Sequence, residues 1–169
     1  MGFRLSDTTE VVLENVRVPR SAVIGEVGCG MSIALNALNL SRAFISTLAV
    51  GIMQRALDEA VAYAKQRKQF GKRLIDFEMV QQMLADMAIK TEAARVLVNN
   101  CMRQMDAGEM VRKDGAIVKT FVTDAMQEVV SNAVQVLGGY GYSEEYPVEK
   151  LMRDAKTSRF SRDRTRSSA

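Results

Sequence analysis

Two stretches of this 169-residue chain hold side chains that could grip a ligand. The first is Arg67-Lys68-Gln69-Phe70-Gly71-Lys72-Arg73, a basic run with one aromatic ring and one glycine. Guanidinium presents a planar fork of donors that suits phosphate oxygens. The same run also suits a helix end, where positive charge meets the negative end of the dipole. The second stretch, residues 135–141, sets Gln135 ahead of Gly138, Gly139 and Gly141, with Tyr140 and Tyr142 among them. Glycine permits positive φ and a close approach of another molecule to the backbone. It is equally the usual residue past a helix end. Together the two corners could hold a pyrophosphate-bearing cofactor. Neither is a Rossmann fingerprint, because no strand precedes the glycines.

Arg42 is a third candidate. It falls on the apolar side of a helical pattern, where a charge needs a partner. A buried ion pair and an anionic or carbonyl ligand both satisfy it, with Asn39 and Ser41 beside it as hydrogen-bonding groups. Asp86, Glu92, Glu144, Glu145 and Asp154 have no spacing that marks a general base. There is no histidine, which removes Ser–His and Cys–His pairs and histidine metal sites. Cys29 and Cys101 are too few for a disulfide framework and lack metal-ligand spacing, so no metal is expected and a reducing, intracellular compartment is.

The net charge of +3 sits in residues 157–169, which hold four arginines and one aspartate; residues 1–156 are neutral. A neutral body with a short basic tail argues against nucleic acid as a partner. No run of 18 apolar residues occurs, so no membrane span is expected.

The elements that must position these residues follow from periodicity. Residues 3–18 alternate like a half-buried strand, ended by Pro19. From Met31 the period turns helical, with Met31, Leu35, Leu38, Arg42, Ile45, Ala49, Ile52, Ala56, Ala60 and Tyr63 on one stripe. The basic run and Gly71 close that helix. A second helix is predicted over 77–106, with Val80, Met83, Met87, Ala94, Leu97, Cys101 and Met105 inward. A third spans 111–137, with Ile117, Phe121, Ala125, Val129, Ala133 and Val136 inward, and a short helix starts at Pro147. The eleven methionines are read as gap-filling core. The fold class is therefore mainly α, an antiparallel bundle of long helices with a short N-terminal β segment.

Several long motifs in order give this pattern a family. GFRLSDTTEVVLENVRVP, GEVGCGM, LNLSR, VGIMQRALDEAVAYAKQRKQFGK, MLADMAIKTEAAR and QVLGGYGYSEEYPVEKLMRDAK resemble the C-terminal portion of acyl-CoA dehydrogenases, over residues 2–156. These flavoproteins introduce a double bond α,β to a CoA thioester. The resemblance implies that residues 1–28 are the remnant of a middle β-domain and 29–156 the C-terminal helical bundle. It leaves 157–169 as an atypical basic tail, expected to be disordered. It implies FAD as cofactor, with Arg67, Gln69 and Phe70 contacting the FAD of a neighbouring subunit. Gln135, Gly138 and Gly139 would contact FAD pyrophosphate across a dimer. Asn39 and Arg42 would lie near the acyl-CoA. It further implies a homo-oligomer (a dimer of dimers), an electron-transfer flavoprotein or similar acceptor, and a cytoplasmic location, or the mitochondrial matrix in a eukaryote.

The chain also departs from the family. Glu78 stands where the family usually has a glutamine near the adenosine end of FAD. After residue 156 the family continues with a loop whose glutamate takes the thioester α-proton; here the chain reads TSRFSRDRTRSSA, with no glutamate. Ser41 stands at the alternative position for that base, and its hydroxyl is too weak to replace a carboxylate. No catalytic residue is therefore assigned, and the chain alone is expected to be inactive. Thr-Ser-Arg-Phe-Ser-Arg-Asp can be written ACT TCC AGA TTT TCG AGG GAY. One inserted T turns it into codons for Ile-Phe-Gln-Ile-Phe-Glu-Gly, the family's loop. We therefore expect an out-of-frame tail, and the gene's own codons decide it. The alternative is a non-catalytic helical oligomerisation module or a frameshifted relic.

Overall fold

The computed structural model describes residues 1–6, 9–109 and 111–160. Three long helices form its body: α1 (Gly30–Gln66), α2 (Glu78–Asp106) and α3 (Arg112–Leu137). A hairpin, β1 (Lys68–Gln69) and β2 (Lys72–Arg73), separates α1 from α2. A single helical turn, α4 (Gly139–Tyr142), separates α3 from α5 (Val148–Phe160). Short connections make sequential helices antiparallel. Helices α1 and α3 then run parallel: Arg42 lies against Gly115 near one end, and Tyr63 against Tyr140 at the other.

The helices begin and end where local chemistry directs. Gly108, with φ +77°, closes α2, and Gly138, with φ +62°, closes α3 by donating its N–H to the Val134 carbonyl oxygen at 2.9 Å. Pro147 precedes α5 and accepts its first backbone hydrogen bond, from Leu151 at 3.0 Å. Glu78 places a negative charge in the first turn of α2.

The core is built from small residues on α1 and larger ones opposite. Helix α1 buries Ala43, Ala49, Ala56, Ala60 and Ala64, while α3 buries Val118, Val122, Val129, Val130 and Val136. Side chains of one carbon let the two axes approach closely, and the β-branched valines fill the gap. Met53, Met87 and Met126, one from each long helix, are fully buried between them. Buried hydroxyls are satisfied within their own helices: Ser46 donates to the Arg42 carbonyl, Thr91 to Met87 and Thr123 to Lys119, at 2.7 to 2.9 Å.

Three details differ from the sequence expectation. Residues 1–6 and 9–28 form no strand; apart from a helical turn at Arg20–Ala22 they are irregular and mostly exposed. An alternating segment needs a neighbouring strand for its hydrogen bonds, and among the described residues the two strands are the hairpin's. The inward stripe of α1 starts at Ala43, leaving Met31, Leu35 and Leu38 exposed. At ~1.5 Å per residue α1 is about 55 Å long against about 40 Å for α3, so its first turns outrun the bundle. Ile117 and Phe121 are likewise exposed on α3, one position off its buried face. Finally, α5 continues past residue 156 to Phe160, and Ser158 is buried. The expected tail therefore begins as helix, and residues 161–169 lie outside the described residues.

By length and composition α1 could cross a membrane, since one 18-residue window reaches a mean hydropathy of 1.4. Scarce charge in its first half produces that value, although no unbroken apolar run exists. The second half of α1 is the bundle's central wall, packed on both α2 and α3.

Candidate functional site

The two corners meet. A cleft of about 490 Å³ is lined by Arg67 and Gln69 from the hairpin side, and by Gly138, Gly139 and Tyr140 from the corner after α3. Because α1 and α3 run parallel, their C-terminal ends lie side by side and deliver both corners to one end of the bundle.

The basic run is a hairpin, not the end of α1. Helix α1 stops at Gln66, where Arg67 turns extended. Lys68 pairs with Arg73 and Gln69 with Lys72, and the Leu74 amide donates to the Arg67 carbonyl oxygen at 2.8 Å. The two-residue loop Phe70-Gly71 has φ +51° and +82°, the signs of a type I′ turn. Positive φ is strained for phenylalanine, yet this ring stands 92% exposed at the hairpin tip and outside the cleft. Arg73 and Asp76 cap the turn that leads to α2, linked by two side-chain hydrogen bonds of 3.0 and 3.1 Å.

The three glycines of the second corner have different reasons. Gly138 needs its positive φ. Gly141 needs its missing side chain, because a Cβ there would lie 2.5 Å from the Val134 carbonyl oxygen. Gly139 has neither constraint: a Cβ there would meet nothing within 4 Å, and the residue lines the cleft. Gln135 is exposed on the last turn of α3 and does not line the cleft.

Sequence reading missed the aromatic wall. Tyr63, Tyr140 and Tyr146 form a closed triangle with ring centroids 5.5 to 6.2 Å apart, and the Arg67 guanidinium lies 5.8 Å from the centre of the Tyr140 ring. Burial pushes the Tyr63 phenol above its ordinary value, and the Arg67 charge pulls it back in part. The signal was present in the spacing of Tyr63 and Arg67, one turn apart. The partner rings are some 80 residues distant in the chain. Glu145 also lines the cleft, from an exposed position at its rim.

Arg42 and Asn39 are far away. About 25 helical residues separate Arg42 from Arg67, roughly 37 Å along α1. Arg42 donates through Nη1 to Asn39 Oδ1 at 3.1 Å, and both are half-buried beside Gly115 of α3. The two thus form one polar unit at the other end of the α1–α3 seam. Among the acidic residues, Glu92 pairs with Arg95 and Asp154 with Lys150. No group of three metal-ligating side chains occurs among the described residues.

Known proteins share this architecture. Residues 28–162 match the family model of the acyl-CoA dehydrogenase C-terminal domain. A probable acyl-CoA dehydrogenase of Mycobacterium tuberculosis is 47% identical over 157 residues, which is 92% of this chain and 40% of that protein. The caffeyl-CoA reductase–Etf complex subunit CarC of Acetobacterium woodii is 42% identical over 156 residues, 92% of this chain and 41% of its own length. The solved butyryl-CoA dehydrogenase of Megasphaera elsdenii superposes with a TM-score of 0.87 at 43% identity, covering 89% of this chain and 39% of that one. The chain thus spans about 40% of the length of the relatives it matches. By its family match and its shared helical bundle, the chain belongs to the acyl-CoA dehydrogenase family of FAD-dependent oxidoreductases, of which it carries the C-terminal helical domain.

Proposed function

We propose that this chain supplies the diphosphate-holding part of an FAD site, and part of the acyl-CoA site, of an acyl-CoA dehydrogenase. The carrying observation is the single cleft that unites Arg67 and Gln69 with Gly138 and Gly139. Gly139 supports the fit: nothing inside the chain requires a glycine there, and its bare backbone leaves room for an anion to approach. Arg67 offers its fork of donors from the opposite wall. Glu145 at the rim opposes an anion, and its exposure lets water screen that charge.

Phe70 and Gln135 stand outside the cleft, and in this reading they serve, together with the cleft residues, the FAD of a neighbouring subunit. A strained, fully presented ring suits insertion into another chain. Asn39 and Arg42 would face the acyl-CoA, the arginine with its orientation set by the asparagine. FAD, when held by such a dehydrogenase, would supply the hydride acceptor for α,β-dehydrogenation of the thioester. The α-proton needs a carboxylate base, and no glutamate occurs in residues 157–169. The chain alone is therefore proposed to be inactive. An electron-transfer flavoprotein is proposed as acceptor, supported by the naming of one relative as a subunit of an Etf complex.

Titration of the purified chain with FAD, followed by flavin fluorescence, tests this reading. Binding that weakens in Arg67→Ala and Gly139→Leu supports it; no binding, or binding indifferent to both, overturns it. Enoyl-CoA formation by the chain alone would overturn the proposed inactivity. A second reading, a non-catalytic oligomerisation module, is favoured by the exposed Ile89, Val96, Ile117 and Phe121 on α2 and α3. Size-exclusion chromatography at flavin wavelengths separates the two, since a colourless oligomer supports only the module.

A further inference from the structure

We infer, resting on the cofactor reading of the cleft, that Tyr140 is a positioning residue: its ring holds the Arg67 guanidinium at a fixed distance from the bare backbone of Gly139. Arg67 forms no ion pair among the described residues, and its guanidinium lies 5.8 Å from the Tyr140 ring centre. A carboxylate partner would hold the side chain but cancel its charge toward an incoming phosphate. An aromatic ring attracts a cation through its quadrupole and leaves that charge intact. Tyr140 is itself held by two rings. Tyr63 contacts it at 6.2 Å from the last turns of α1, and Tyr146 meets it edge-on at 5.9 Å from the approach to α5. Tyr63 and Tyr146 close the triangle at 5.5 Å with planes 86° apart. The triangle thus joins three elements: the end of α1, the corner after α3 and the start of α5. Tyr140 adjoins Gly139 in sequence, so one ring sets the separation between the two walls of the cleft. Tyr140 is 45% accessible and Arg67 is itself exposed, so the guanidinium remains reachable from solvent.

Two readouts on the full chain test this, one of them ligand-free. In nuclear magnetic resonance spectra, Arg67 Nε–Hε should carry a ring-current shift that Tyr140→Phe keeps and Tyr140→Leu abolishes. For binding, with FAD as the probe, Tyr140→Leu should weaken affinity about two- to five-fold, the size of a cation–π contact at a part-exposed site. Tyr140→Phe should bind like the unaltered chain. In an Arg67→Ala background Tyr140→Leu should cost nothing further, because the ring acts only through the arginine. A ring-current shift that survives in Tyr140→Leu, or a penalty that persists without Arg67, overturns the positioning role. If the unaltered chain binds no FAD while the ring-current shift behaves as stated, the cofactor reading fails and the arginine clamp stands.

Discussion

The backbone N–H of Phe3 donates to the Asp154 carboxylate at 2.6 Å, across 151 positions of sequence. Arg153 next to it donates to the Met1 carbonyl oxygen at 2.7 Å, and Gly2 is pressed against the backbone of α5 between them. The N-terminal segment is therefore anchored to the last helix by two adjacent side chains. Asp154 is buried and also receives Lys150. Removing that carboxylate by Asp154→Ala leaves the Phe3 amide and the ammonium of Lys150 without their acceptor. A loss of about 1–3 kcal/mol is expected, seen as a lower midpoint in urea with faster exchange of the Phe3 amide.

The same group sets an acid limit. Burial alone would raise the Asp154 carboxyl, but the hydrogen bonds from Lys150 and Phe3, with the Lys150 and Arg153 charges, outweigh it and hold it below the ordinary carboxylate value. A depressed folded pKa stabilises the folded state above the unfolded value of about 3.9 and loses that contribution as pH falls through the lower folded value. Stability measured from pH 6 down to pH 2 should fall less steeply in Asp154→Asn than in the unaltered chain. Equal slopes would remove Asp154 as a cause.

Gly139 and Gly141 are two residues apart and should respond differently to alanine. Gly141→Ala forces a Cβ to within 2.5 Å of a backbone oxygen, and a cost of about 1–3 kcal/mol is expected. Gly139→Ala meets nothing and has no positive φ to strain. Its melting temperature should match the unaltered chain within error.

Phe70 is kept against local preference. Phe70→Asn gives the type I′ turn a residue that tolerates positive φ, so the melting temperature should rise or stay level. A clear fall would show that the exposed ring stabilises the isolated chain, against the reading that it serves a neighbouring subunit.

The alanine wall of α1 makes a packing prediction. Ala56 and Ala60 are fully buried against the other long helices, so Ala56→Leu should cost about 1–3 kcal/mol by overpacking. Met126→Ala, which opens a cavity instead, should cost about 2–5 kcal/mol. Chemical denaturation ranks the two.

Much of this was legible in sequence because the cause was local. Helix period, the glycines that stop α2 and α3, and the proline that starts α5 placed those boundaries within a residue or so of the observed ones. The inward faces were less legible. Val129, Ala133 and Val136 are buried as expected, whereas Ile117 and Phe121 are not, since periodicity gives a stripe's repeat but not which neighbour covers each end. The strand expected in residues 3–18 failed for a related reason: alternation describes a strand that has a partner, and the described residues offer it none.

By itself the sequence determined three long amphipathic helices, a basic corner and a glycine-rich corner, a family pattern and the lack of a histidine or a tail glutamate. Each depends on residue type and short spacing alone. Only the tertiary structure decided that the corners face one cleft, because that follows from α1 and α3 ending side by side. It alone turned the basic run into a hairpin with a protruding Phe70, and set Asn39 and Arg42 at the far end of the same seam. It also closed Tyr63, Tyr140 and Tyr146 into a triangle behind Arg67, since rings some 80 residues apart meet only when the helices carrying them have packed.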